Sequence, residues 1–486
     1  MQKIEVIAPI RRRNFWQTAL WFWGLEAAFC HVDSPITICD NSDANFNNWQ
    51  PEDGRALFVC GSLPHHILKE TTTATEAVKY NNGTKTVFCP QLDADMDGFI
   101  SGDILLFLLD CFQLSRRRIV TTTSNVLTSA FSFHYHVAEN KLTDTPKHEH
   151  YPVLIREGNI LYSPLNLSDF EYVLQPEIPF FKSNPFVVQN YALLRFIKAA
   201  LVSLSPALPI RSLWPGNASC CVSVTGDVHD YSGIPGREDR EHKDMLTNCD
   251  LLRDLGLEGR AAWYCSAYIA ERHPDTFKSA FSRGYEIQPH TYLETQYALE
   301  EWDFARQKND IMRCYAAFDS VSNGNDIFRK GFRTHGYQSD FVTREVLDVN
   351  GSVYLADLQA WETPDNLSRT AYEKGILYFG LPQKARGRNG RPLNLLEIPD
   401  TVPNDHVLYR LFHMTPEQSF DFWKARFDRI LRLGGYFQTC LHPYISLFEA
   451  AGRKDAYIEL IRHMKSKGAA FMLPIEVSQQ FYRYSL

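Results

Sequence analysis

The sequence predicts an α/β protein in two parts, an N-terminal α/β domain followed by a C-terminal parallel (β/α) barrel. Three observations predict it. Beyond residue 217, short apolar runs alternate with helical patterns, the rhythm of parallel strands joined by crossover helices. Ahead of residue 205, similar runs recur with longer spacers, as in an open α/β layer. Between them, Pro206, Pro209 and Pro215 interrupt the stretch from Ser205 to Asn217, which can continue neither a helix nor a central strand. The expected division is 1–205 for the N-terminal domain, 206–217 for a proline-rich linker and 218–486 for the barrel.

The chain of 486 residues has room for two or three buried cores. Its 50 Lys and Arg against 57 Asp and Glu leave a net charge of −7 without a basic block, so no nucleic-acid partner is expected. Charged residues at 22% and apolar ones at 44% are globular proportions. Eleven cysteines cannot all pair, and none lies in a C-x-x-C spacing; reduced thiols and a cytoplasmic location are expected. No run approaches 18 apolar residues, so no membrane span is expected.

In the N-terminal part, Ile4 to Ile7, Ile36 to Cys39, Ala56 to Val59 and Thr86 to Phe88 read as strands. Arg11-Arg12-Arg13-Asn14-Phe15-Trp16 imitates a twin-arginine export signal, but Gln17 and Glu26 interrupt the apolar stretch and no small-x-small site follows. It reads as an aromatic-rich helix docked on a core or a partner. Asn140 to His150 reads as a polar surface loop. Asp93-Ala94-Asp95-Met96-Asp97 imitates a calcium loop, but Ile104 stands where the closing Glu is needed. His134, His136, His148 and His150 read as exposed side chains.

In the C-terminal part the expected strands are Cys220 to Val224, Ala261 to Cys265, Tyr285 to Ile287, Gly331 to Arg333, Ser352 to Leu355, Ile376 to Phe379, Leu395 to Ile398 and Tyr436 to Leu441. Helical patterns cover Lys243 to Leu255, Tyr297 to Phe318, Pro416 to Leu433 and Ala456 to Lys465. A parallel barrel does its chemistry where the strands end. Asp227, His290, Arg333, Asp357 and His442 fall at or close to such ends.

Thr225-Gly226-Asp227-Val228-His229-Asp230 crowds two acids and an imidazole onto one strand-to-loop junction, a pattern that by itself also suits a solvated turn. In His290-Thr291-Tyr292-Leu293-Glu294, the i,i+4 spacing puts His290 and Glu294 on one face if a helix starts there, where both could reach a metal. Amide hydrolysis at a metal still needs a base for water and an acid for the departing amine. Asp227 and His442 supply those functions, and Arg333 can hold Asp227 by a bidentate ion pair.

This ordered set, spanning about residues 218 to 478, resembles the polysaccharide deacetylase family, the metal-dependent amidohydrolases related to chitin, peptidoglycan and nodulation-factor deacetylases. Asp227 looks like the family's catalytic base, and His229 occupies its metal-binding Asp position. His290-Thr291 matches the second motif, His-Ser/Thr-x-x-His, with Glu294 for the last His. Arg333-Thr334-His335 is similar to the Arg-x-Pro motif, with His for Pro. Leu441-His442-Pro443 resembles the general-acid motif. For the Asp-Trp motif there is Asp357-Leu358-Gln359-Ala360-Trp361, with Ala before the Trp. The N-terminal part also looks like the α/β domain that precedes some members, through Asp97 to Leu109 and Gly158 to Pro164.

The resemblance implies a metal-dependent hydrolase that removes an N-acetyl or other N-acyl group from an amino sugar, glycan or related small molecule, with self-association left open. Asp227 would accept a proton from water, a backbone N–H near Tyr337 together with the metal would stabilise the oxyanion, and His442 would protonate the nitrogen. The expected ligands are His229, His290 and Glu294, with Asp230 in reserve, a set of two imidazoles and one carboxylate that suits zinc. Tyr337, Trp361, Asp357 and His335 are the expected substrate-binding residues. The competing readings are a degenerate deacetylase fold that binds without turnover and a hydrolase of a non-sugar amide.

Overall fold

Apolar runs without polar alternation have to be covered on both faces, which suits parallel strands. The computed structural model describes residues 1–40, 55–60, 70–74, 84–92, 117–121, 125–136, 141–142, 147–157, 159–163, 167, 172–174, 187–189, 191–229, 240–293, 302–322, 330–359, 381–389 and 391–482. Its contacts divide the chain into two compact units, one built chiefly on Met1–Gln175 and Val187–Ser212, the other on Leu213–Trp361 and Phe379–Leu486. Both are mixed α/β with parallel strands.

In the first unit, strands Leu25–Ala28, Gln2–Ile7, Ile36–Asp40, Ala56–Cys60 and Ile160–Ser163 run parallel in that lateral order. Lys147–Glu157, Asn125–His136 and Thr84–Leu92 continue the sheet antiparallel. Helix Ile10–Phe22 buries Phe15, Trp16, Ala19 and Leu20. The arginine-rich stretch is therefore a docked helix: the Arg12 guanidinium pairs with buried Asp40 at 2.6 Å, and Trp16 Nε1 donates to the same carboxylate at 2.7 Å. Asn140 to His150 is not only a loop, since Lys141–Leu142 pairs with the strand 125–136 and another strand starts at Lys147. Polar residues are admissible there because an antiparallel sheet tolerates one solvated face. The calcium-like loop at Asp93 lies outside the described residues.

The second unit has nine strands among its described residues, labelled here β1 Cys221–Val228, β2 Ala261–Cys265, β3 Glu286–Pro289, β4 Gly331–Phe332, β5 Tyr354–Gln359, β6 Gln383–Arg386, β7 Pro392–Asp400, β8 Tyr436–Leu441 and β9 Ala470–Phe471. They hydrogen-bond as two sheets. One runs β3-β2-β1-β8, with β9 taking the start of β1; the other runs β4-β5-β7-β6. All pairs are parallel except β6 with β7, which meet as an antiparallel hairpin closed by Gly387 N to Arg391 O at 3.0 Å. The hairpin and β9 were not expected from the sequence, and Ile376 to Phe379 lies outside the described residues. The sheets touch at two edges. Arg333 N donates to Pro289 O at 3.2 Å beside β3 and β4, and Thr401 N donates to Gln438 O at 3.0 Å between the end of β7 and β8.

Local sequence explains the helices that connect these strands. Helix Pro416–Leu433 starts with a capping box between Thr415 and Gln418 and with proline at its first position, and it stops at Gly434, whose φ of 65° is left-handed. Helix Phe341–Val349 has the same kind of box between Asp340 and Thr343. Val222, Val224, Trp263, Ile287, Phe332, Phe427 and Phe437 are among the core side chains between helices and sheets. No described disulfide joins the cysteines, and among the described residues no helix is long and apolar enough to cross a membrane.

Candidate active site

Polar residues two apart on a buried strand share one face. Thr225 and Asp227 do so on β1, with His229 just past its end; Glu286 and Gln288 do so on β3, with His290 just past its end; Gln438 lies on β8, which is followed by His442. All these residues are buried. Gly226 has to be glycine, because a Cβ there would run into the Trp263 ring and the Leu441 carbonyl oxygen, 2.6 Å away. That close approach sets Asp227 at the mouth of the strand layer.

Arg333, fully buried just after β4, ties the strand ends together. Its Nη1 donates to Asp227 Oδ1 at 2.9 Å, its Nη2 to Asp400 Oδ1 at 3.1 Å and its Nε to Ala356 O at 3.0 Å. Its guanidinium carbon sits 4.1 Å from the Tyr264 ring centroid. The expected pair between Arg333 and Asp227 is present, through one carboxylate oxygen; the arginine's second carboxylate is Asp400. Asp400 also accepts from Gln438 Nε2 at 2.7 Å and from the Tyr337 hydroxyl.

Asp227 Oδ2 faces His290 Nε2 at 3.7 Å, beyond hydrogen-bond reach. Burial alone would raise the Asp227 carboxyl, but the charge of His290 when its ring is protonated in acid, and that of Arg333 at every pH, outweigh it and hold the group below the usual carboxylate range. His442 is tuned the opposite way. Its Nδ1 meets Asp405 Oδ1 at 2.6 Å, its N–H donates to Asp405 Oδ2 at 2.8 Å, and Ser446 donates to that oxygen as well. Burial disfavours the imidazolium, yet the Asp405 carboxylate prevails and pushes His442 up to about 9. Asp405 therefore orients the His442 ring. The Asp357 carboxylate is taken up by Thr334, accepting from its N at 2.8 Å and its Oγ1 at 2.5 Å, while burial raises its pKa to about 7.

His229 is held at its backbone, where its N–H donates to Glu241 Oε2 at 2.7 Å, a buried carboxylate on helix Glu241–Asp254. His290 Nδ1 lies 3.1 Å from Arg333 O. A carbonyl only accepts, so Nδ1 carries the proton and Nε2 keeps its lone pair. That Nε2 is buried without a hydrogen-bond partner. Burial lowers His290 to about 4 and His335 well below its ordinary value, so both are neutral at neutral pH. Among the described residues, two buried groups bring one ligand atom each within 4.8 Å of one another: His229, His290 and His335, and Asp227, His229 and His442. Neutral imidazoles and an orphaned buried nitrogen are a donor set that fits a divalent metal.

Of the residues expected from the sequence, the structure brings together Asp227, His229, His290, Arg333, His335 and His442. Tyr337 is buried with its hydroxyl on Asp400, and its N–H donates to Thr334 O at 3.2 Å, so that N–H belongs to a turn. Glu294, Asp230 and Trp361 lie outside the described residues. Asp400, Asp405 and Glu241 escaped the sequence reading. Asp400 ends β7 two residues beyond where the apolar run stops, a polar residue at a strand end like the others. Asp405 follows in a loop and has no local signal.

No protein-family model matches the chain, and no curated protein matches it in sequence. Its neighbours among solved structures are polysaccharide deacetylases and CE4 family esterases, with other activities represented. A protein assigned as a polysaccharide deacetylase from Mycobacterium smegmatis is 19% identical over 55% of this chain and 91% of that one, with a TM-score of 0.43. The Puue allantoinase is 16% identical over 57% and 94%, at 0.44. A CE4 family pseudoenzyme from Bacillus anthracis is 11% identical over 54% and 66%, at 0.31. These likenesses are weak, and the functional conclusion rests on the side chains themselves.

Proposed function

We propose that the second unit is a metal-assisted hydrolase that cleaves the amide of an N-acetylated or otherwise N-acylated amino sugar or glycan-like substrate. The observation that carries this is the pairing of opposite proton states. Asp227, kept ionised beside Arg333, and His442, kept protonated by Asp405, offer side-chain atoms within 4.8 Å of each other and of His229. Two titratable groups driven apart in this way are an acid and a base in waiting.

Asp227 Oδ2 accepts the proton of the attacking water, while Arg333 fixes the carboxylate through Oδ1. His442 gives its Nε2 proton to the departing nitrogen, and Asp405 holds the ring in place and stabilises its charge. His229 and His290 would hold a divalent metal, zinc being the ion these donors suit, and when bound it supplies a Lewis acid for the amide carbonyl and lowers the pKa of water. The N-acyl substrate class rests on the motif resemblance carried by Asp227, His290-Thr291, Arg333 and Leu441-His442.

We also read the two sheets of this unit as one (β/α) barrel, on the strength of the hydrogen bonds at both shared edges. The domain boundary at 206–217 is supported by the division of contacts between Ser212 and Leu213. A cytoplasmic location remains a reading of cysteine usage.

The test is acetate release from a panel of N-acetylated amino sugars by the metal-loaded full chain. Asp227→Asn should fold, hold metal and lose about 100- to 10,000-fold in turnover, the range removed with a general base. Turnover unchanged in that variant, or a wild-type chain that binds metal but hydrolyses no acylated amine, would refute the assignment.

A further inference from the structure

We infer that His335 is the third protein ligand of this centre, so that three imidazoles from the described residues hold a zinc-class ion. The inference rests on the metal site proposed above and deepens it. His335 stands where the resembled motif has proline, and a proline could contribute nothing to a metal. Here the residue is buried, and its ring completes a triangle whose centroids lie 5.2 Å apart for His229 and His290, 4.9 Å for His229 and His335, and 5.3 Å for His290 and His335.

The three rings come from three separate strand ends, after β1, β3 and β4, so their meeting is a product of strand order rather than of one local turn. The His335 turn is also anchored on both sides. Asp357 clamps Thr334 through its N–H and hydroxyl, the Tyr337 hydroxyl is bound to Asp400, and Gly336 and Tyr337 adopt φ of 61° and 58°. A left-handed Tyr337 is strained, and the anchors hold that conformation with His335 turned inward.

His290 shows the arrangement of a ligand imidazole. One ring nitrogen gives its proton to a backbone carbonyl, which fixes the tautomer, and the other is buried with a free lone pair. The other cluster, Asp227 with His229 and His442, is less suited, because an ion on Asp227 would lie beside the Arg333 guanidinium that holds this carboxylate at 2.9 Å. Three neutral ligands leave the full charge of the ion on the centre, whereas a carboxylate would cancel one unit. Nitrogen-only donors favour zinc and cobalt over magnesium or calcium.

The experiment uses the metal-depleted full chain, titrated with zinc against a chromophoric chelator and with cobalt, whose visible bands report its ligands. Wild type should bind both ions, and magnesium in excess should not compete. His335→Gln should weaken zinc binding by about 100-fold or more, at or beyond the loss seen when groups supporting a ligand are removed. His290→Ala should do the same, while His442→Ala and Glu294→Gln should stay within about 3-fold of wild type, well below the loss expected for a ligand or its support. His335→Cys returns a donor, so it should regain affinity and add a thiolate-to-cobalt charge-transfer band, which a purely structural role for His335 would not produce. That variant also keeps the test decisive if His335→Gln fails to fold.

Undiminished zinc binding in His335→Gln, or a His335→Cys variant that binds cobalt without the thiolate band, overturns the third ligand. Loss of metal in Glu294→Gln with His335→Gln unaffected does so as well, and leaves the metal reading of the site standing. A wild-type chain that binds neither ion overturns both.

Discussion

The two ends of β3 differ in what they leave unfinished. At its start, the Glu286 carboxylate accepts from the Tyr354 hydroxyl at 2.7 Å, Gln288 Nε2 at 3.0 Å and Ile475 N at 3.1 Å. Just past its end, His290 leaves Nε2 buried without a hydrogen bond, and Asp227 Oδ2 stands 3.7 Å away. Both ends are polar and buried, and both hold groups with displaced pKa values. The difference shows that burial and a shifted pKa do not identify a reactive site. An unsatisfied atom beside groups of opposite protonation does, because a structural network spends its donors and acceptors on itself.

The largest effect should come from Arg333→Met. It strips the counter-charge from both Asp227 and Asp400 in the interior, and breaking a buried pair in this way costs about 3–5 kcal/mol. Chemical denaturation should show that loss, and turnover should fall with it. A stability loss under ~1 kcal/mol would mean that Arg333 is not what holds the two carboxylates. Asp405→Asn should be more selective. The orienting carboxylate goes while the shape remains, so kcat should fall by about 10,000-fold, the cost of replacing a histidine's orienting aspartate by its amide, with zinc affinity little changed. A kcat within ~3-fold of wild type would remove His442 from its proposed role.

Glu286→Gln should have the smallest effect, and on stability alone. Burial raises Glu286 from 4.5 to about 7, only partly opposed by its hydrogen bonds. The folded state thus keeps a proton that the unfolded chain has already released, and stability contributed by this group declines as pH rises from 4.5 to 7 and is level above that. The shift corresponds to about 3 kcal/mol. The glutamine variant should flatten this part of the curve of Tm against pH while leaving kcat unchanged. An unaltered pH dependence would show that Glu286 does not titrate in that window, and a loss of turnover would mean that the two strand ends are coupled.

Much of the fold was legible because β-strands announce themselves locally. The runs at Ala261 to Cys265 and Tyr436 to Leu441 match β2 and β8, and the helical pattern from Pro416 to Leu433 matches its helix. Strand ends were less legible where polar residues continue a buried strand. β1 reaches Val228 and β7 reaches Asp400, both past the ends of the apolar runs, because the face they share with Asp227 and Asp400 is polar and hydrogen-bonded inside the protein. An apolar pattern stops at the first such residue, whereas backbone pairing does not.

By itself the sequence determined which residue types stand at the strand ends: Asp227, His229, His290, Arg333 and His442 can be picked out because chemistry-bearing side chains follow apolar runs. Only the tertiary structure decided who partners whom. His442 finds Asp405 across 37 positions, Arg333 finds Asp400 across 67 and Asp227 across 106, and His335 joins two histidines that follow other strands. Spacing along a chain specifies neighbours on one helix or strand, but contacts between strands depend on their lateral order and register, which arise from packing of the whole unit.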